Sequence, residues 1–460
     1  MSRLFLAFLS SYPYPEEGSL IPNRGGLYVS VNKKNMRVNW PRFIEVKSRP
    51  WFIPLAYAVT ALLFGFTVPR LVVAELPQWV STISVNAAIG IYSSVASGMI
   101  ALTGIVFSLT FVMVQFSATA YSPRLVQWIS RDPVISHSVG VFTATFLYAL
   151  AALAWVDRNG SGRVPLIGMG VIAVLLVLSI TMFISLIQRV SMLQVTRMLI
   201  FTGDQGRKVI EKFYPPLDTP ATPYSPDLLT AACIQTLVHH GHPRAIQRVN
   251  IPALIHLATE AAAAIEMTIS VGDVVLESTP MLRVTGGTGP IPEEALRSAI
   301  ELGAERTFDQ DPKYAIRLLV DIAIRALSPA VNDPTTAVQA LNEIEDLLLR
   351  LGRRRLEIGT YRDTAGKPKF LLRYPTWEDF LRLALDEIRF YGASSVQVMR
   401  RMKALIAELI SMLPEERSPA LHYWQARLQS TVEAAFTDKE DILDASDEDR
   451  QGLGSPRRLM

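Results

Sequence analysis

The chain predicts a mainly α protein, with a four-helix transmembrane region followed by a cytosolic helical domain that contains a small β-unit. Two observations carry this. The stretch from Leu76 to Pro123 holds no charged residue, and three other long apolar runs accompany it. A bilayer core of roughly 30 Å needs about 20 helical residues, so each run has enough apolar residues to cross. Residues 191–460 hold no further run of that kind; amphipathic helical patterns there are interrupted by short β-rich runs.

Composition agrees. Half of the 460 residues are hydrophobic, and the mean hydropathy of +0.25 excludes a disordered chain and points to a membrane protein. A formal charge of +3 is too small to imply a nucleic-acid partner. Cys233 stands alone, which excludes an intramolecular disulfide and a multi-cysteine metal site.

Residues 1–50 read as a flexible basic segment in which Lys33, Lys34, Arg37, Arg42, Lys47 and Arg49 precede Trp51. Spans follow at about 51–69, 84–121, 134–156 and 164–188. The basic N-terminal flank, and Arg189, Arg197, Arg207 and Lys208 after the last span, place both termini inside a bacterial plasma membrane, because lysine and arginine accumulate on the cytoplasmic side. His137, at the edge of the third span, reads as an interfacial residue.

Residues 191–437 are expected to form the cytosolic domain. Ser191 to Phe213 extends the fourth helix, and Pro215 to Pro226 is a proline-rich connector. Leu228 to His239 reads as a helix, as does Ile251 to Ala264 behind the cap Asn250. A β-unit is expected at 265–284, where Gly272 and Pro280 punctuate short β-rich runs. It looks like half of a barrel-sandwich hybrid, but no lysine sits at a hairpin tip to act as a carrier. Asp311-Pro312 and Asp333-Pro334 each put an N-cap aspartate before a proline at the first helical position, and amphipathic helices follow to Leu327 and Leu351. A hairpin at 358–374 turns around Ala365-Gly366-Lys367, and three more helices run from Thr376, Ala393 and Pro419. Residues 438–460 form an acidic tail expected to be disordered.

The second span is the unusual element. An unbroken helix from Asn86 to Tyr121 would be on the order of 54 Å long. Ser93, Ser97, Gly104, Ser108 and Gln115 recur along it at helical spacing, with Ala101 and Val112 sharing their face. Such a stripe faces protein or water rather than acyl chains. It reads either as a helix-packing surface or as the lining of a pore.

The runs Ala101 to Thr110, Gln115 through Ser122-Pro123-Arg124-Leu125, and Ala326-Leu-Ser-Pro-Ala-Val-Asn-Asp-Pro-Thr-Thr-Ala337 resemble those of bacterial membrane proteins of the domain-of-unknown-function 2254 family. The likeness extends from about residue 40 to 435. It implies a membrane topology and a cytosolic domain without specifying an activity.

Other constellations carry less. His239, His240 and His242 lie near Cys233 but lack a paired ligand motif. Val284 to Pro290 is glycine-rich but lacks the lysine of a phosphate loop. Arg353, Arg354 and Arg355 with Lys367, Lys369 and Arg373 form a basic cluster that could meet anionic headgroups or simply be solvated. Asn332, Asp333, Thr335 and Thr336 make the densest polar motif, which reads first as a helix cap and second as an anion-binding helix start. No nucleophile–base pair or carboxylate dyad stands out, so an enzyme is the least supported class and no cofactor is expected. The leading expectation is a homo-oligomeric channel for an ion or small solute, with Ser93, Ser97, Gly104, Ser108, Val112 and Gln115 lining it. The alternative is a membrane-anchored scaffold or sensor whose cytosolic domain binds a partner.

Overall fold

A computed structural model describes residues 52–75, 80–81, 84–120, 133–156, 164–191 and 195–454. Residues 1–51, 121–132 and 455–460 are among those that lie outside the described residues. The chain is mainly helical. Its first half consists of α1 (Phe52–Glu75), β1 (Val80–Ser81), α2 (Val85–Ala120), α3 (Pro133–Leu153), β2 (Val164–Pro165) and α4 (Leu166–Ser191). Three stretches among the described residues are long and apolar enough to cross a bilayer: Val85–Val112, Pro133–Leu153 and Ile167–Gln188. The span expected at 51–69 falls in α1, where the described apolar stretch, Phe52–Thr67, is shorter.

Small residues set how closely these helices approach. A Cβ added at Gly140 would lie 2.6 Å from the Tyr57 ring, and one at Gly65 would lie 2.6 Å from Ala151 Cβ, so glycine on α3 seats the Tyr57 ring and glycine on α1 lets the helices close onto Ala151. Between α3 and α4 the hydroxyls of Thr145 and Ser179 meet at 3.0 Å, fully buried. Tyr57 Oη lies 3.2 Å from His137 Nδ1. Strands β1 and β2 pair antiparallel, which brings the segments following α1 and α3 together at one end of the helices.

The C-terminal region begins with α5 (Val195–Phe213), four residues after α4 ends. A β-rich part follows, with β3 (Cys233–Val238), β4 (Arg244–Val249), α6 (Ile251–Glu260), β5 (Ala263–Met267), β6 (Val274–Val275), β7 (Pro280–Gly286), α7 (Glu293–Ser298) and β8 (Ile300–Gly303). Helices α8 (Pro312–Ala326) and α9 (Pro334–Gly352) come next, then the hairpin β9 (Thr360–Arg362) and β10 (Pro368–Leu371). The chain continues through α10 (Trp377–Tyr391), α11 (Val396–Met412), α12 (Ser418–Ala435) and α13 (Lys439–Ala445). Five strands run in the order β3-β7-β5-β10-β9, and three in the order β6-β4-β8.

Several expectations hold at the level of single elements. Asn250 caps α6 by accepting from the Ala253 amide. The helix expected from Thr376 is α10, and the structure adds a reciprocal capping box between Thr376 and Asp379. On α8 the face Ile316, Leu319, Ile322 and Ala323 is buried against residues of α9, α10 and α11 in one continuous core.

Three expectations are corrected. Leu228 to His239 is not a helix: Cys233–Val238 is the edge strand β3, paired antiparallel with β7 through Gln235–Val284, Thr236–Arg283 and Leu237–Leu282. Strands also lie outside 265–284, since β3, β4 and β8 surround that segment and the β9–β10 hairpin joins it through a parallel β10–β5 pair. The acidic tail is not disordered to residue 454: Asp438 caps α13, and the last residue of that helix, Ala445, is completely buried. An apolar anchor inside an acidic sequence suffices to dock it.

Candidate functional site

Helix α2 spans 36 residues, about 54 Å at 1.5 Å per residue. One face is committed within the chain. Ala88, Tyr92, Ala96, Met99 and Val106 are buried, and α2 packs along α3. Thr103 and Thr110 border that face and turn their hydroxyls back to the carbonyls of Met99 and Val106 at 2.7 and 2.8 Å. In this way they satisfy a donor inside an apolar helix.

The predicted stripe lies elsewhere. Ser93, Ser97, Gly104, Ser108, Val112 and Gln115 are all exposed in the chain. At about 100° per residue they fall in an arc of roughly 100° centred nearly opposite the buried face. A Cβ added at Gly90, Gly98 or Gly104 would meet nothing within 4 Å. Ile105 and Phe107 flank the stripe, Phe111 shares the azimuth of Ser93 at its edge, and Phe107 is 71% exposed. Among the described residues, the small side chains of this stripe are therefore not packed within the chain, and the packing alternative calls for a second copy or another partner.

The polar motif at 332–336 resolves into a cap. Asp333 Oδ1 accepts from the Thr336 amide at 3.1 Å, and Oδ2 accepts from the Thr336 hydroxyl at 2.6 Å. Asn332 sits at φ +48°, a left-handed conformation that asparagine tolerates better than most residues. Its amide donates to Ser328 O at 2.9 Å, and the Asp333 amide donates to Ala326 O at 2.8 Å. Asn332, Asp333 and Thr336 thus each have a structural role in the turn between α8 and α9. Thr335 is exposed, and nothing in the structure explains it.

The second aspartate of the pair behaves differently. Asp311 makes no cap bond; its carboxylate is 2% exposed and is taken by Arg306 at 2.6 Å. Burial pushes its pKa up and the guanidinium opposes that. Gly272, at φ +90°, packs directly onto this carboxylate, so the 270–273 turn is locked against the start of α8 rather than presented as a tip.

Sequence reasoning missed a buried ionic group. Arg401 on α11 meets Glu345 on α9, both almost fully buried, and its Nε donates to Asn342 Oδ1 at 2.8 Å. Glu408 on the same helix adjoins Glu345 and pairs with Arg450. Arg401 and Glu408 are seven residues apart on α11, which puts them on one face, but nothing local distinguishes them from solvated charges.

The remaining candidates are structural in their contacts. His239 is buried, with Nε2 2.9 Å from His242 O, and His240 pairs with Glu277. Among the described residues no three histidine, cysteine or acidic side chains are grouped as a metal site requires. Arg354 and Arg355 donate to the carbonyls of Tyr214, Leu217 and Thr219, lashing the proline-rich connector to the end of α9. Lys369 is buried and donates to Ala263 O at 3.2 Å.

The family model described as a predicted membrane protein, DUF2254, matches residues 47–408. The chain belongs to this family. Related proteins carry the same description no further: uncharacterised proteins of Mycobacterium bovis and Mycobacterium tuberculosis are each 28% identical to the DUF2254 chain over 368 residues, covering 76% of it and 69% of their own length. No solved structure matches it. The family match takes in both the striped helix α2 and the capped turn before α9, and it ends within α11.

Proposed function

We propose that the DUF2254 chain assembles into a homo-oligomeric channel for an ion or small solute, with α2 of each protomer at the central axis. The observation that carries this reading is the polar and small stripe of α2, turned away from its own chain. A helix that puts serines and glycines opposite its packing face leaves them in lipid unless other copies enclose them. With one such helix per chain, an enclosed path needs several chains around an axis. Ser93, Ser97, Gly104, Ser108 and Gln115 would line it, and Val112 would provide a narrow apolar zone of the kind that gates by dewetting.

The topology that fits this reading has four spans in a bacterial plasma membrane. The pairing of β1 with β2, and the close seating of α1 on α3, favour α1 as a span parallel to α3. The basic flanks favour both termini on the cytoplasmic side.

Ser108→Lys tests the assignment. At a water-filled axis the lysine hydrates the path and raises leak in proteoliposomes while the oligomer persists on size exclusion. In a packing interface the same lysine costs about 2.5–3.5 kcal/mol and impairs insertion or assembly. A well-assembled variant with unchanged conductance removes the channel reading and leaves the scaffold or sensor in front.

A further inference from the structure

The C-terminal region has one end that the membrane helices hold close to the bilayer. The apolar stretch of α4 ends at Gln188 and the helix itself at Ser191. Helix α5 begins at Val195, so its first residue lies within about 14 Å of the last residue of α4. Headgroup layers extend roughly 5–8 Å beyond the hydrocarbon, so α5 starts at or just beyond that layer.

Helix α9 runs parallel to α5. Successive contacts follow the two helices in the same direction: Thr196 with Gln339, Arg207 with Glu343 and Asp346, and Glu211 with Arg350. The start of α9, and the turn that precedes it, therefore lie on the same side as the start of α5. The end of α10 and the start of α11 meet there too, since a Cβ at Gly392 would lie 3.4 Å from Leu327 and 2.7 Å from Val398.

This end is apolar where a solvated one is ordinarily polar. The tip of the α8–α9 turn is Pro329-Ala330-Val331, all exposed. Beside it Phe390 is 69% exposed and Tyr391 54%, their rings edge to face at 5.4 Å. The β9–β10 turn, by contrast, reads Asp363-Thr-Ala-Gly-Lys367. Arg389 is engaged by Asp386 and Thr431 and Arg400 by Asp444, while Arg325 stands in the last turn of α8, one turn before the tip. The face therefore offers apolar contact with the Arg325 cation behind it.

We propose that Pro329, Ala330, Val331, Phe390 and Tyr391 form a foot that rests in the interfacial layer of the bilayer from which α4 emerges. The phenol of Tyr391 partitions to that layer because one end is apolar and the other carries a hydroxyl that tolerates water, and the Phe390 ring beside it adds apolar area. An exposed apolar patch tethered this near to lipid has lipid as its nearest apolar partner. The foot gives the C-terminal region a second attachment besides the α4–α5 connection. It stands independently of the channel reading, since it requires only that α4 spans.

The test uses the full chain in vesicles of neutral lipid, in a Cys233→Ser background. Phe390→Cys and, separately, Val331→Cys are labelled with an environment-sensitive fluorophore. Met412→Cys serves as the distant control, about 24 Å along α11 from its start. The expected result is blue-shifted emission at 390 and 331 that is quenched by lipids carrying a quencher just below the headgroup, with the control unquenched. Emission typical of water at both positions overturns the proposal. So does blue-shifted emission that lipid quenchers leave intact, because then a second copy or another stretch of protein covers the face. Quenching that appears only with anionic lipid overturns its apolar basis.

Discussion

Glu345 carries its carboxylate into the interface between α9 and α11, where it meets Arg401 and Glu408. Burial, reinforced by the hydrogen bond with Glu408, pushes its pKa up to about 7 against the opposing pull of Arg401. Glu408 is correspondingly lowered, so the two carboxyls share a proton rather than titrating separately. A folded-state pKa above the ordinary 4.5 means that the fold holds this proton more tightly than the unfolded chain does. Its contribution is complete below the ordinary value and is lost as pH rises through about 7. Thermal melting of the full chain in detergent should therefore show a stability loss on the order of 1–3 kcal/mol across that window, which Glu345→Gln flattens. Identical pH dependence in the two proteins would contradict the assignment. None of this was legible in the sequence, because an arginine and a glutamate on amphipathic helices look alike whether they face water or each other.

At the scale of elements, local signals were legible wherever local physics decides. Asp333-Pro334 announces α9, and the structure puts that cap in place, as it does Asn250 on α6. Asp311-Pro312 announces α8 just as clearly, yet Arg306 captures the carboxylate, and only the helix start survives from the expectation. Strand β3 was misread because its partner is β7, some fifty residues on, and as an edge strand it buries too few side chains to show alternation. The cap on α9 gives a measurable consequence. Asp333→Ala removes both bonds to Thr336 and should lower stability by about 0.5–2 kcal/mol, read from denaturation of the full chain. An unchanged or raised stability would instead point to a carboxylate kept for a ligand.

At the scale of the whole molecule, the stripe on α2 was legible from spacing alone, but its relation to the rest of the chain was not. That relation depends on Ala88, Tyr92 and Ala96 packing toward α3 across a long sequence separation, a tertiary choice that leaves the serines outside. The account stands or falls on what those serines face in the assembled protein. Ser93, Ser97 and Ser108 should be changed singly to cysteine in a Cys233→Ser background, with Ile105→Cys and Phe107→Cys as lipid-facing references. Each variant is then reconstituted and exposed to a charged, membrane-impermeant thiol reagent while ion flux is followed. The channel account predicts modification and altered flux at the three stripe positions and neither effect at Ile105 or Phe107. Stripe cysteines that stay unreactive in an intact assembly, or that react no faster than the references, would contradict it.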